Sequence, residues 1–306
     1  MSSCRARARS TRCRARPSPI LSSKSGESSA MAKTVTLDAE PVKAASPYKN
    51  ANQELRYKLY TLAIIVVILA AWELAPRMGL VSPIILPSFS AVVGALISLV
   101  QQDFFLRHFS VTLTEILIGF VLGTSIGLAL GIALAVWPTA KRIAYPFVVG
   151  FQAIPKIVFA PLFIAWFGFG MSSKVVMAVV ISFFPVLINT LVGLESVPED
   201  ARKLMRSIKA TPLQTFRKVS LPHALPVIFA GVKAALTFAV IGAIVGEFVG
   251  ASEGLGYLVE LYKNQLRIDR VFAVIVILAA IGAGGYFLLE WLDRKLIFWR
   301  TDAQGK

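Results

Sequence analysis

The sequence has few charged residues and almost no cysteine or histidine. Asp, Glu, Lys and Arg make up 16% of its 306 residues, whereas a soluble globular domain carries about 25%. The two cysteines, Cys4 and Cys13, both lie in a basic amino-terminal segment, so they build neither a disulfide framework nor a zinc site. Because the chain is also 56% hydrophobic, its composition is typical of a protein embedded in lipid.

Residues that would support catalysis are also missing. His223 is one of two histidines and stands at the start of an apolar run, with no evident carboxylate or nucleophile as partner. The segment nearest to a phosphate-binding loop, 168–174, lacks the Gly-Lys-Ser/Thr ending. The sequence therefore predicts a protein that is not an enzyme and that needs no cofactor or metal.

The net charge of +15 is concentrated in three segments outside the apolar runs. Residues 1–58 hold 12 Lys or Arg against 4 acids, residues 196–222 hold 6 against 2, and residues 293–306 hold 4 against 2. Basic residues crowded into alternate loops are the topology signal of a polytopic membrane protein. The charge therefore does not indicate a nucleic-acid partner.

Residues 1–55 form a basic leader that we expect to be disordered. Residues 1–30 are rich in Arg and Ser with a single acid, Glu27, a composition typical of an organellar transit peptide. Their Arg-Ala alternation has no apolar face, however, which a transit helix needs. We therefore favour a true start of translation at Met31.

Six apolar runs are long enough to cross a bilayer as helices, because about 20 apolar residues span the hydrocarbon and lipid forbids unpaired backbone. They predict an all-α polytopic membrane protein whose transmembrane domain covers residues 56–300, followed by a tail at 301–306. The predicted spans are about 59–75, 116–137, 143–167, 175–194, 223–249 and 271–289.

A further uncharged segment, 78–102, contains Pro83 and Pro87. A helix can begin there only after Pro87-Ser88, and the stretch that remains before Asp103 is short for a span. The segment predicts a short interfacial or partly buried helix, and a seventh span is the alternative.

The loops on one side of the membrane carry most of the basic residues. With the amino terminus inside, the cytoplasmic segments are 1–58, 138–142, 195–222 and 293–306, and the loops of the opposite side hold fewer bases, among them Lys174. The positive-inside rule then places both termini in the cytoplasm.

Gly119, Gly123, Gly127 and Gly131 recur every four residues in the second span. This spacing puts all four on one helix face, and small residues at such intervals let helices approach closely in lipid. The pattern predicts a helix-packing face; a channel-lining face is the alternative.

The loop at 195–222 is predicted to form two short basic helices. Pro198, Glu199 and Asp200 suit a first helical turn, because acids favour the positive end of the helix dipole. Pro212 separates the two helices, and Leu221-Pro222 begins the next span. A basic helical pair with a protruding Phe216 predicts a docking surface for another protein, or alternatively a loop that rests on the membrane surface.

Residues 210–222 resemble the EAA loop of permeases from binding-protein-dependent ABC importers. The likeness is carried by Ala210-Thr211, Phe216 and Val219-Ser220-Leu221-Pro222. Residues 151–170 and 246–257 resemble the nitrate/sulfonate/taurine-type branch, and within it permeases for thiamine precursors or riboflavin. The resemblance covers about residues 55–300. It implies a six-helix type I importer permease of the bacterial inner membrane that translocates a small polar solute of the kind carried by that branch.

The loop departs from the family pattern at two places. Lys209 occupies the glycine position, and Lys203-Leu204-Met205 occupy the Glu-Ala-Ala positions, while Glu199-Asp200-Ala201 lies four residues too early. A glycine allows the bend between two helices at little steric cost. We therefore expect Lys209 to keep a negative φ, with Pro212 making the turn.

The resemblance also implies partners. These are cytoplasmic ABC ATPase subunits, which hydrolyse the ATP, a periplasmic or lipid-anchored solute-binding protein, membrane lipid, and a second copy of the chain in a homodimer. The residues expected to couple the loop to the ATPase are Glu199, Asp200, Ala201, Leu204, Ile208, Lys209, Ala210, Leu213, Phe216, Val219, Leu221 and Pro222.

Ionisable residues within spans are candidate solute contacts, since each is costly in lipid and faces protein or water. Lys156, beside Pro155, could meet an anionic or carbonyl-rich solute, or it could form a structural pair with Glu115 or Glu247. Gln152 and Phe151 could add amide and aromatic contacts, and Glu247 is a structural or gate-forming candidate on the same path.

Two other function classes remain open at this level. A secondary transporter or channel would predict inverted repeats and intramembrane carboxylate pairs, and the sequence shows no convincing repeat. A membrane receptor or scaffold would use residues 195–222 to bind a signalling partner instead of an ATPase.

Overall fold

The computed structural model describes residues 51–299, with side chains from Leu55 onward. The tail at 301–306 and residues 1–50 of the expected leader lie outside the described residues. Every regular element in the described part is helical. In chain order the helices are α1 (Ala51–Arg77), α2 (Phe89–Val100), α3 (Phe105–Val136), α4 (Pro138–Ala153), α5 (Ala160–Phe167), α6 (Met171–Glu195), α7 (Glu199–Ser207), α8 (Pro212–Thr215), α9 (Leu221–Gly250), α10 (Leu255–Asn264) and α11 (Ile268–Leu296).

The helices α1, α3, α6, α11 and the continuous helix 212–250 are long and apolar enough to cross a membrane. The pair formed by α4 and residues 156–167 passes the same test only together, and its two halves are bent by 85°. Counted as one broken span, this pair brings the described residues to six crossings. The predicted all-α polytopic fold is confirmed.

The third predicted span, 143–167, is wrong as a continuous helix. α4 ends at Ala153, Ile154 is extended with ψ 131°, and a short 3₁₀ helix at Lys156–Phe159 follows. The break lies at Pro155, because proline lacks a backbone N–H, clashes with the preceding turn and forces the residue before it into an extended conformation.

The short helix α2 begins where its prolines permit. Ser88 accepts a hydrogen bond at its side chain from the Ala91 N–H (3.4 Å) and so caps the first turn. The helix has 12 residues, which is too short to cross 30 Å of hydrocarbon. Its buried face, with Leu99, packs with α10 and α11 over a cluster that includes Leu255 and Val274.

The central packing unit consists of α3, α6 and α9. A Cβ atom at Gly127 would stand 2.7 Å from the Phe183 carbonyl oxygen, and one at Gly131 would stand 2.7 Å from the Thr190 Cβ. Gly119 and Gly123 meet α6 in the same way, at Ala178 and Ser182. All four glycines are buried, so the face that they form is closed by α6.

α6 also packs on α9 through small residues. A Cβ at Gly242 would stand 2.6 Å from the Ala178 Cα, and one at Gly231 would stand 2.6 Å from the Asn189 Cβ. Ala239 and Ala243 of α9 are fully buried in this contact region. Close helix approach through small residues is what stabilises helix pairs in lipid, where the surroundings are as apolar as the side chains.

Candidate functional site

The segment 195–222 joins the ends of α6 and α9. Glu199 and Asp200 occupy the first turn of α7, where their charge favours the helix dipole. The Lys203 ammonium lies 3.7 Å from the Glu199 carboxylate and 3.3 Å from that of Asp200. Lys203, in one of the family's Glu-Ala-Ala positions, thus makes exposed pairs within α7.

The two faces of α7 differ in chemistry. Leu204 and Ile208 are 63% and 64% exposed, and Leu213 in α8 is 65% exposed. Residues four apart share a helix face, whereas residues two apart point about 200° apart. Arg202 and Arg206 therefore lie on the face opposite Leu204 and Ile208. Ala201 is half-buried.

Lys209 adopts a left-handed conformation, with φ 54°, so the expected negative φ is wrong. Its N–H donates to the Arg206 carbonyl (2.9 Å), and the Ala210 N–H donates to the Met205 carbonyl (2.9 Å). This pair of hydrogen bonds is the Schellman ending of a helix, which requires a left-handed residue at that position. A non-glycine residue there costs roughly 1–2 kcal/mol, and the lysine forms the bend despite this cost.

α8 begins with a reciprocal cap. The Gln214 N–H donates to the Thr211 hydroxyl (3.3 Å), and the Thr211 N–H donates to the Gln214 side-chain oxygen (2.9 Å). Pro212 occupies the first turn, where its missing N–H costs nothing. One π-type turn, Phe216–Ser220, then leads into α9, which starts at Leu221-Pro222.

Phe216 does not protrude as expected. Its ring is half-buried against a cluster that includes Leu194 and Ala224, beside Ala135 of α3. The physical reason is that the ends of three helices meet here and leave apolar surface that an aromatic ring covers. Val219 is half-buried in the same turn. The exposed apolar side chains of the segment are Leu204, Ile208 and Leu213.

The break between α4 and α5 opens a pocket beside α6 and α9, with a mostly apolar lining that carries a few polar side chains. The pocket has a volume of about 570 Å³, and Gln152, Lys156, Phe184, Asn189 and Phe238 contribute to its lining. The Lys156 ammonium donates to the Gln152 carbonyl (3.1 Å) and stands 4.7 Å from the centroid of the Phe184 ring. The alternative pairing of Lys156 with Glu115 or Glu247 is not formed among the described residues. Phe151 is 57% exposed and lies outside the pocket lining.

Glu247 lies at the other end of the molecule from the segment 195–222 and is 1% exposed. Its carboxylate accepts hydrogen bonds from the Thr112 hydroxyl (2.6 Å) and from the Gly256 N–H. Glu115, which is 2% exposed, interacts with Glu247. The network ties α3 and α9 to the start of α10.

The same network satisfies the first backbone groups of α10. The Leu255 N–H donates to the Thr112 hydroxyl (2.7 Å), and the Gly254 N–H donates to His108 Nδ1 (2.9 Å). Helix amino termini leave their first N–H groups without intrahelical partners. Side chains from α3 and α9 therefore supply the cap that α10 itself lacks.

Lys174 is a buried charged residue that the sequence analysis missed, since it was assigned to an outer loop. It lies in the first turn of α6, is 2% exposed, and donates to the carbonyls of Phe169, Gly170 (3.0 Å) and Gly250 (2.5 Å). Its charge also interacts with Glu115 and Glu247. A lysine directly before an apolar run was the available signal, because such a charge needs a buried partner if the helix starts inside the protein.

A second charged group ties α9 to α11. The Lys233 ammonium lies 2.6 Å from the Glu290 carboxylate and 2.7 Å from that of Asp293. Asp293 is buried and Lys233 is mostly shielded. This group links the last helix to the helix that follows the 195–222 segment.

Comparison with known proteins identifies these features as those of a transport family. Residues 123–298 match the family described as binding-protein-dependent transport system inner membrane component. The chain is 38% identical over 240 residues to a probable ABC transporter permease protein of Haemophilus influenzae, covering 78% of this chain and 97% of that protein. It is 36% identical over 252 residues to the formylaminopyrimidine transport permease protein ThiX of Halalkalibacterium halodurans, covering 82% and 98%. It is 35% identical over 263 residues to the riboflavin transport system permease protein RibX of Chloroflexus aurantiacus, covering 86% and 98%.

Solved structures show the same fold. The methionine ABC transporter MetNI in an inward-facing conformation matches with a TM-score of 0.54 at 24% identity, over 65% of this chain and 96% of the matched chain. Three findings agree on the family of this chain. They are the helix order, the segment 195–222 between α6 and α9, and the family match. The chain belongs to the binding-protein-dependent inner membrane components and is a multi-pass permease subunit of an ABC importer.

Proposed function

We propose that this permease carries a small polar solute inward, driven by separate cytoplasmic ATPase subunits that dock on residues 195–222. A binding protein outside the membrane delivers the solute, and the permease itself hydrolyses nothing. The observation that carries this proposal is the exposed apolar set Leu204, Ile208 and Leu213. Apolar side chains on a short polar helix outside the membrane are a typical protein-docking surface.

The packing explains how docking would drive transport. Residues 195–222 connect α6 directly to α9, and both helices approach closely at Gly231 and Gly242. A displacement of the segment would therefore move the two helices as one body. The pocket beside α6 and α9 would then open toward one side of the membrane and afterwards toward the other.

Replacing Leu204 and Ile208 together by serine is expected to lower the amount of ATPase that co-purifies with the permease by about tenfold or more. Removing two exposed apolar anchors from an interface costs about 1 kcal/mol or more for each. The matched control is Leu80→Ser with Ile85→Ser, because both side chains are 72% exposed outside the 195–222 segment. Equal ATPase recovery for the two double variants would contradict docking at this surface.

We also propose that two copies of this chain form a homodimer. The purification with the ATPase tests this as well. Lys156 and the amide of Asn189 line a pocket that is open within the apolar part of the chain, and lipid is a costly neighbour for such groups. Phe147, Val158 and Trp166 on the bent pair are more than half exposed. A second copy that covers this side satisfies both observations, and the intact mass of the complex should show two permease copies with two ATPases.

The lining of the pocket suggests the chemical class of the solute. Lys156 supplies a cation that hydrogen-bonds to the Gln152 carbonyl, Gln152 and Asn189 supply amides, and Phe184 and Phe238 supply flat apolar surface. A planar solute rich in carbonyl groups could contact the lysine, the amides and the aromatic rings together. A compact anion would contact the lysine alone and fits this combination less well. The relatives named for formylaminopyrimidine and riboflavin transport carry solutes of that kind.

Lys156→Met is expected to reduce uptake of labelled riboflavin or formylaminopyrimidine by about tenfold or more in cells with the complete importer. A hydrogen bond from a charged donor contributes about 1.5–3 kcal/mol. Lys156→Arg should retain part of the uptake. Lys263→Met serves as the control, since Lys263 is an exposed partner of Glu260. Unchanged uptake in Lys156→Met, or wild-type uptake of taurine alone, would exclude this assignment.

We also propose that both termini lie in the cytoplasm. The basic segments 138–142, 195–222 and 293–306 follow every second span, so they lie on the same side of the membrane, and the positive-inside rule assigns that side to the cytoplasm. A fluorescent protein fused to the carboxyl terminus should then fluoresce, and alkaline phosphatase fused there should be inactive. An active phosphatase fusion would place the carboxyl terminus outside the cytoplasm and contradict the proposed topology.

A further inference from the structure

The basic face of α7 borders a cavity on the membrane side of the segment 195–222. Arg202 and Arg206 line it together with Val136, Leu194 and Phe216, and its volume is about 440 Å³. The apolar face with Leu204 and Ile208 points the other way. A protein that covers the apolar face therefore leaves the arginine face to a different ligand.

The two arginines offer unused hydrogen-bond donors to this cavity. Arg202 donates from one terminal nitrogen to the Leu194 carbonyl (2.8 Å), which leaves most of its N–H groups available. The Arg206 guanidinium makes no hydrogen bond or ion pair with another residue of the described part of the chain. Ser220 adds a hydroxyl group to the lining, whereas the Thr215 hydroxyl, which also lines the cavity, donates to the Thr211 carbonyl (3.1 Å). Guanidinium groups and hydroxyls together are the donors that bind phosphate oxygens best.

The rest of the lining is apolar and belongs to helix ends at the membrane boundary. Val136 is the last residue of α3, and Trp137 directly after it is 64% exposed, the position in which tryptophan marks the edge of the hydrocarbon. Leu194 lies in the last turn of α6 and lines the same cavity. A free phosphate ion would leave this apolar wall uncovered, whereas a phospholipid would place its headgroup on the arginines and its glycerol and first methylenes on the wall.

We infer that this cavity binds the phosphate headgroup of an anionic membrane phospholipid. The location on the cytoplasmic leaflet rests on the proposed topology, and that leaflet attracts basic segments through its anionic lipids. The bound lipid would brace α7 from behind and hold Leu204 and Ile208 toward the ATPase. The binding of the ATPase to the segment 195–222 would thus depend on the fraction of anionic lipid in the membrane.

The test uses the purified full chain in nanodiscs that contain phosphatidylcholine with phosphatidylglycerol, followed by mass spectrometry of the lipids that remain bound. The wild type is expected to retain phosphatidylglycerol over phosphatidylcholine, and Arg206→Gln should reduce that retention at least fivefold. Arg217→Gln is the matched control, because Arg217 is exposed, carries the same charge in the same segment and does not line the cavity. A selective loss in Arg206→Gln supports the site.

Three results would overturn the inference. Equal losses in Arg206→Gln and Arg217→Gln would indicate general electrostatic attraction instead of a built site. Equal retention of the two lipids by the wild type would exclude an anionic headgroup. Complete displacement of the lipid by an excess of inorganic phosphate would assign the cavity to a free anion. Because lipid retention needs no ATPase, it can succeed even where the co-purification with ATPase fails, and each hypothesis is judged separately.

Discussion

Glu247→Ala is expected to destabilise the protein by about 3–5 kcal/mol, the cost of breaking a buried charge group by removing one partner. The substitution leaves the N–H groups of Gly256 and Tyr257 and the Thr112 hydroxyl without their acceptor. It also removes a counter-charge from the buried Lys174. We expect a large drop in the melting temperature of the detergent-solubilised permease and a loss of folded protein in the membrane.

Two further variants test whether the loss of stability in Glu247→Ala comes from the buried network. Glu260→Gln removes an exposed acid from α10, whose partner Lys263 is also exposed, and should leave the melting temperature nearly unchanged. Glu115→Gln keeps a hydrogen-bond donor next to Glu247 and should be tolerated far better than Glu247→Ala. If Glu247→Ala melted like Glu260→Gln, the network would not hold α10 in place.

Gly127→Ala should destabilise the contact between α3 and α6 by about 1–3 kcal/mol, the typical cost of overpacking. The new methyl group would stand 2.7 Å from the Phe183 carbonyl oxygen and 3.0 Å from the Val186 Cβ. The obstacle is backbone of a packed helix, so the two helices must separate to admit it. The loss should be measurable as a lower melting temperature and a smaller yield of monodisperse protein.

The control for this substitution is Gly284→Ala in α11. A Cβ at Gly284 meets nothing within 4 Å, and alanine is favoured over glycine within a helix by about 1 kcal/mol. We therefore expect this variant to be as stable as the wild type or more stable. Equal destabilisation by both substitutions would mean that loss of glycine itself, rather than the contact with α6, is responsible.

Much of the local structure follows from short sequence signals. Pro87-Ser88 predicts where α2 begins, because proline prevents an earlier start and serine caps the first turn. The four glycines of α3 share one face by spacing alone. Lys209 shows the limit of such signals. The residue type argues against a positive φ, yet the Schellman ending of α7 requires one and supplies two hydrogen bonds that offset the strain.

The candidate sites depended more strongly on contacts between distant parts of the chain. Phe216 lies in a segment that the sequence marks as a docking loop, but the ends of α3, α6 and α9 converge on its ring and bury it. Lys156 has two carboxylates within apolar runs as conceivable partners, and the break at Pro155 turns it toward Phe184 instead. Neither outcome is encoded in the spacing of the residues concerned.

The sequence by itself determined the all-α membrane fold, the number of apolar runs, the position of the α2 start and the segment that identifies the family. These properties depend on hydrophobic length, on proline and glycine conformation and on local hydrogen bonds, all of which act over a few residues. Only the tertiary structure decided which charges are buried together. The Thr112 hydroxyl and the Glu247 carboxylate are separated by 135 residues, and they meet because the small residues of α3, α6 and α9 let these helices pack closely enough to seal a charged network between them.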